Sequence, residues 1–199
     1  MLNQYENEAN IGAHERTTGP EIWRQTEGKI THFVTSLGTC GTITGNGRYL
    51  KSQNPGIKII GVHPQEGHDI PGVRSLKQLN QTKLFLPGEY DEVVEVNGEE
   101  AYKMCLRLNR EESLIAGPSS ALALLGAQKV IKDDPSAVVV IMFPDNVFKY
   151  ASSIERHFPE FRSMPDNSAS NEAPAPSPKE TFFDNLVAHS RNPNNTLEL

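Results

Sequence analysis

The chain has 199 residues, a net charge of −6 at neutral pH and only two cysteines. That length fits one domain plus a tail, and the acidic balance speaks against a nucleic-acid surface. No apolar run approaches the roughly 18 residues of a membrane span, and two cysteines without CxxC spacing speak against a disulfide framework or a zinc site.

Residues 1–16 are polar and are expected to be loop. The acidic start, Met1-Leu2-Asn3-Gln4-Tyr5-Glu6-Asn7-Glu8, does not read as a secretory signal, so a cytoplasmic address is expected. Thr17-Thr18 can cap a short helix with Pro20 and Glu21 in its first turn, anchored on the core by Trp23. Residues 31–35 form a β-rich run leading into Ser36-Leu37-Gly38-Thr39-Cys40-Gly41-Thr42, and a helix follows to about Gln53, where Asn54-Pro55-Gly56 stops it. Residues 58–62 are an apolar run suited to a sheet covered on both faces, so strand, helix and strand predict a parallel βαβ unit. Residues 63–91 are mostly irregular, and a connection of that length is usually functional. Glu66, His68 and Asp69 within it are too few to make a metal site.

A short strand is expected over 91–96, then a helix from about Glu100 to Arg110 with Ala101, Met104, Cys105 and Leu108 on one face. Cys105 on that stripe reads as core. Residues 112–117 are a short strand or turn, and 119–132 an apolar helix. Residues 137–143 are the most continuous β-run and read as a central parallel strand, ended by Pro144-Asp145-Asn146 and followed by a last helix over 148–157. The composition then shifts. Residues 161–180 are a Pro-, Ser- and Asn-rich linker and 181–199 a loosely ordered tail, which leaves 1–160 as the folded unit.

A strand, a glycine- and threonine-rich turn and a helix make an anion site, because helix-start amides point outward and the helix dipole favours negative charge. Thr39, Thr42 and Thr44 add hydroxyl donors. A nucleotide P-loop is excluded, since no lysine occurs between Lys29 and Lys51. A dinucleotide fingerprint is excluded too: Gly45 and Gly47 begin one, but its third position is Leu50. An ordinary strand-to-helix turn without a ligand remains open on the loop alone.

Gly38-Thr39-Cys40-Gly41-Thr42, preceded by Thr17-Thr18-Gly19-Pro20-Glu21-Ile22-Trp23, resembles the cysteine synthase and cystathionine β-synthase family of fold-type II pyridoxal phosphate enzymes. The resemblance runs on through Asn10, His14, Arg48-Tyr49-Leu50-Lys51, Ile60-Gly61-Val62, Gly117-Pro118-Ser119-Ser120 and Pro144-Asp145. Glu66 to Gly72 is nearest the cysteine synthase B branch. The resemblance implies the C-terminal domain of such an enzyme: an α/β fold with an open, mostly parallel sheet and helices on both faces. It implies pyridoxal 5'-phosphate as cofactor, with Gly38, Thr39, Cys40, Gly41 and Thr42 on its phosphate. Ser119 is implied at the ring nitrogen, where a neutral hydroxyl favours β-elimination and replacement over transamination. On the residues alone, Ser119 reads equally as the cap of the helix that follows.

Cys40 stands where the commonest family form has glycine, and reads as a tolerated substitution and not a nucleophile, its backbone donors being unaffected if the local φ is negative. Asp145 and Asn146 follow a strand expected at the same sheet edge and are secondary pocket candidates. No residue matches the family's Schiff-base lysine, which lies upstream of the matched stretch, so no catalytic residue is assigned and the chain alone is expected to be inactive. For the full enzyme the resemblance implies β-replacement on an activated serine such as O-acetylserine or O-phosphoserine, a sulfur donor, cysteine biosynthesis and a homodimer. The alternatives are a cystathionine β-synthase-like segment and a non-catalytic phosphate-binding or interaction module.

Overall fold

The structure is a computed structural model that describes residues 3–131 and 134–159. The linker and tail expected over 161–199 lie outside the described residues. Four strands form one sheet: β1 (His32–Ser36), β2 (Lys58–Pro64), β3 (Glu92–Val96) and β4 (Val139–Ile141), in the order β3-β2-β1-β4. All neighbouring pairs are parallel, with Val34 opposite both Ile60 and Ile141.

The pleat sorts these strands into two apolar faces. Phe33 and Ile59 are register partners and join one buried cluster with Leu37, Ile43 and Leu50. That face is covered by α3 (Gly41–Gln53), whose Gly47 has room for a Cβ only 3.2 Å from Ile59. Val34, Ile60 and Val62 point the other way, under α6 (Pro118–Val130), where the absent Cβ of Gly126 lets the helix settle on Val62. Each such core side chain is worth about 1.5–3 kcal/mol of burial. The expected parallel sheet with helices on both faces is what is observed.

Three expectations are corrected. Residues 9–16 are not loop but a helix, α1 (Ala9–Arg16), with α2 (Thr18–Gln25) directly after it. Within α1 only Ile11 is buried, so there was little apolar periodicity to read. The helix is held instead by close approach to α3. A Cβ on Gly45 would press on the backbone carbonyl of Ile11 and stand 2.8 Å from His14 Cβ. Second, the run over 137–143 yields only a three-residue strand, and it is an edge strand. Among the described residues β4 pairs with β1 alone, and all three of its residues are half-buried. Third, Ser119 does not cap α6. Gly117 holds the cap position with φ −80° and ψ 170°, and Ser119 lies inside the first turn. Residues 112–117 form no strand.

The long connection from 65 to 91 carries two short helical turns, α4 (Leu76–Leu79) and a 3-10 turn over Pro87–Glu89. After β3, α5 (Gly98–Glu111) starts at Asn97, whose Oδ1 accepts from the amides of Glu99 at 2.8 Å and Glu100 at 3.1 Å. Ala101, Cys105 and Leu108 face inward as expected, joined by Tyr102. A 3-10 turn over Val147–Tyr150 leads into α7 (Ala151–His157).

Candidate functional site

The strands are parallel, so the loops that leave their carboxyl ends meet at one edge of the sheet. At that edge β1 releases Leu37, whose amide donates to Val62 O at 2.8 Å, and the chain turns through Gly38, Thr39 and Cys40 into α3. Gly38 lies so close to the Gly72 carbonyl that a Cβ there would overlap it. The turn is completed by Cys40 at φ +70°, the left-handed region, so the negative-φ condition set for this residue is not met. A non-glycine residue in this conformation costs roughly 1–2 kcal/mol. It also swings the thiol inward, where it is 3 % exposed and near the Tyr90 hydroxyl. Burial pushes this thiol up to about 12, so it is neither an anion nor a nucleophile at neutral pH.

The first amides of α3 have no acceptor inside the helix. The amide of Gly41 donates to Thr39 Oγ1 at 3.3 Å, and Asn10 Nδ2 donates to the same oxygen at 3.1 Å. With two donors on its lone pairs, Thr39 keeps its own O–H to give outward. Thr42 Oγ1 lies 3.2 Å from His14 Nε2, and His14 Nδ1 lies 3.0 Å from Thr18 Oγ1. Burial lowers the His14 pKa, which favours the neutral ring. A neutral ring carries one proton, so one threonine hydroxyl donates to it and the other accepts from it. The consecutive helices α1 and α2 are thereby joined to the loop, which lies more than twenty residues on. Asn10 and His14 are part of this arrangement. In the sequence they stand only as points of resemblance. The spacing of four between His14 and Thr18 on consecutive helical turns was the available signal.

Gly117 and Asp145 form the neighbouring wall. The Gly117 amide donates to Asp145 O at 3.2 Å, which sets the start of α6 beside the segment that leaves β4. Ser119 is 6 % exposed, and Ser120 is fully buried with no partner for its hydroxyl among the described residues. One Asp145 oxygen accepts from the Tyr150 hydroxyl, and the other is buried and unpartnered among the described residues. Burial first, and Asp145 second, push the Tyr150 phenol upward. Lys149 Nζ stands 3.9 Å from Asp145 Oδ2 on the solvent side. Asn146 is spent differently: its Oδ1 accepts from Phe148 N at 3.2 Å and caps the 3-10 turn. The structure thus joins Gly38 to Thr42 in one cradle and sets Ser119 and Asp145 at the same edge, with Asn146 turned to a local role.

Cys105 is buried on α5, its Sγ 3.2 Å from Ala116 O, with its thiol pushed up to about 12 by burial. It is core, as its helical stripe predicted. Glu66, His68 and Asp69 diverge. Glu66 accepts from Lys77 N at 3.2 Å, His68 Nδ1 from Ile70 N at 3.1 Å, and Asp69 pairs with His157 at 2.8 Å. Among the described residues no group of three or more His, Cys, Asp and Glu is placed to hold a metal ion, and no helix is long and apolar enough to cross a membrane.

Comparison with known proteins gives the family. The chain is 43 % identical over 153 residues to cysteine synthase B of Pseudomonas aeruginosa, covering 77 % of this chain and 51 % of that protein. It is 41 % identical over 161 residues to cysteine synthase B of Escherichia coli K12, covering 79 % of this chain and 53 % of that protein. Among solved structures, a cysteine synthase of Entamoeba histolytica superposes with a TM-score of 0.69 at 29 % identity, over 76 % of this chain and 47 % of that one. The chain therefore spans about half the length of the curated relatives it matches. Residues 1–145, which contain the whole Gly38 to Thr42 cradle together with Asn10, His14, Ser119 and Asp145, match the pyridoxal-phosphate dependent enzyme family, and the chain belongs to it.

Proposed function

We propose that this chain supplies the phosphate-binding and ring-edge half of a cysteine synthase active site of the B type. The observation that carries the reading is the cradle at the start of α3. Its amides and hydroxyls are neutral donors, tied from behind by Asn10 and His14. The cradle fits a phosphate dianion: Gly38 and Gly41 leave no room for a Cβ, and the thirteen-residue α3 aims its positive end at the loop. At the same edge the Ser120 hydroxyl and one Asp145 oxygen are buried without a hydrogen-bond partner among the described residues, which leaves polar capacity there.

On this reading the backbone of Gly38, Cys40 and Gly41 and the hydroxyls of Thr39 and Thr42 hold the phosphate of pyridoxal 5'-phosphate. Ser119 faces the ring nitrogen, and Asp145 and Asn146 border the ring. The cofactor, when bound, supplies the electron sink for β-replacement. Ser119, uncharged, leaves the ring nitrogen unprotonated and so tunes that sink toward replacement. His14 orients Thr42, and Asn10 turns the Thr39 hydroxyl outward. The reaction proposed for the whole protein exchanges the leaving group of an activated serine, O-acetylserine or O-phosphoserine, for a sulfur donor, with the required lysine amine coming from outside residues 3–159. We further propose a homodimer for the whole protein and a reducing, cytoplasmic setting, the latter in keeping with two buried free thiols.

The experiment is a chimera. Residues 1–160 replace the matching part of the Pseudomonas aeruginosa cysteine synthase B, and cysteine formation is assayed. Activity that falls at least tenfold on Ser119→Ala supports the proposal. A folded chimera that retains pyridoxal phosphate yet forms no cysteine contradicts it.

A further inference from the structure

The segment that overhangs the cradle is pinned from a distance. Residues 65–75 connect β2 to α4 and carry Gly72, whose carbonyl lies against Gly38, and Arg74, whose amide donates to Leu37 O at 2.9 Å. These two contacts press the segment onto the start of the anion loop. Three residues before Gly72 stands Asp69, and its partners come from the far end of the described unit. His157 Nε2 lies 2.8 Å from Asp69 Oδ1, and Arg156 Nη1 lies 3.7 Å from Asp69 Oδ2.

The His157 ring is not free to swing. It stacks on Tyr102 of α5 with centroids 3.9 Å apart and planes inclined by 23°. Tyr102 is itself fully buried, and its hydroxyl donates to Asp69 O at 3.4 Å. Tyr102 also meets Ser153 of α7, so α5, α7 and the tip of the segment share one junction. Between that junction and the cradle the chain has little slack: Ile70 is 2 % exposed, packed beside Gly98 at the start of α5, and Pro71 follows it.

We propose that Asp69 and His157 are positioning residues for the cradle. By fixing the tip of the 65–75 segment to α7, they hold the Gly72 carbonyl and the Arg74 amide against Leu37 and Gly38. The effect on cofactor affinity rests on the phosphate reading given above; the effect on the segment does not. An exposed ion pair contributes little alone, and the aromatic stack and the shared carboxylate make the junction worth a measurable factor.

The test is hydrogen exchange on the full chain, read at the Arg74 amide, with Val34 and Ile60 in the central strands as controls for folding. Asp69→Ala and His157→Ala should each speed exchange at Arg74 by about five- to tenfold, and the double variant should be no faster than the faster single one. His157→Gln, which restores a donor near the Nε2 position, should recover most of the protection. If Asp69→Ala fails to fold, Asp69→Asn carries the same comparison. Unchanged exchange at Arg74, or strictly additive effects, overturns the proposal. In parallel, the dissociation constant for pyridoxal phosphate should rise by a similar factor in the single variants. Absence of binding in the unaltered chain counts against the phosphate reading and leaves the exchange result standing as the test of the pinning.

Discussion

The two sides of β1 are built to different standards. On the β2 side, the sheet continues into a strand buried on both faces, and the loop after β1 is fastened by α1, α3 and the 65–75 segment. On the β4 side, the sheet ends among the described residues with a strand of three half-buried residues, and Val138, Phe143 and Phe148 are exposed, Phe148 to 73 %. Asp145 borders this flank and is tied through its carbonyl to Gly117 at the buried start of α6. A parallel sheet normally has both faces and edges covered, so the two flanks differ in completeness as well as in packing. The Gly38 to Thr42 side of the candidate site is enclosed within the described residues, and the Asp145 side borders the exposed Phe143 and Phe148.

Substitutions should separate these flanks. The largest effect is expected from Gly45→Ala, whose Cβ would strike the Ile11 carbonyl and His14 Cβ and drive α1 off α3. Overpacking against backbone should cost at least about 2 kcal/mol, read as a lower urea midpoint. Next is Thr42→Val, which leaves His14 Nε2 without its partner and should cost about 1 kcal/mol. The same variant should weaken pyridoxal phosphate binding, measured by equilibrium dialysis, while leaving Ser119 and Asp145 undisturbed.

A smaller effect is set by pH. Burial lowers the pKa of His14, and those of His32 and His68, below the usual 6.5. The unfolded chain then binds protons before the folded one does. Stability from these groups is complete above about pH 6.5 and is lost as pH falls through the lowered folded values. Urea midpoints should fall between pH 7.5 and pH 5.5, and His14→Gln should flatten that slope. The smallest effect belongs to the open flank: Phe148→Ala should change stability by no more than about 0.5 kcal/mol, since the ring is mostly in water already. A cost comparable to that of Gly45→Ala would show that the β4 flank is covered after all.

The same contrast explains what could be read from the chain. The inner strands were legible because β2 is an apolar run and β1 a β-rich one joined to it through a turn and a helix, whereas Gly38 to Thr42 read as an anion site only through the family resemblance, since an unliganded turn stayed open on the loop alone. The helix α1 was not legible. It is polar, buries one isoleucine and owes its place to glycines of another helix, so neither periodicity nor propensity marks it. The left-handed Cys40 was missed for a related reason, since a thiol gives no sign of positive φ unless the turn around it is known. The β-run at 137–143 misled in the opposite sense: apolar content reports that a strand can be covered, not whether it is central.

On the proposed reading, the cradle at Gly38 to Thr42 holds the phosphate of pyridoxal 5'-phosphate. The most direct measurement is calorimetric titration of the 199-residue chain with pyridoxal phosphate and, separately, with pyridoxal. Saturable one-to-one binding of the phosphorylated form, at least tenfold tighter than pyridoxal, competed by inorganic phosphate and weakened by Thr42→Val, is the result predicted. Equal affinity for the two ligands, with no response to inorganic phosphate or to Thr42→Val, would contradict it.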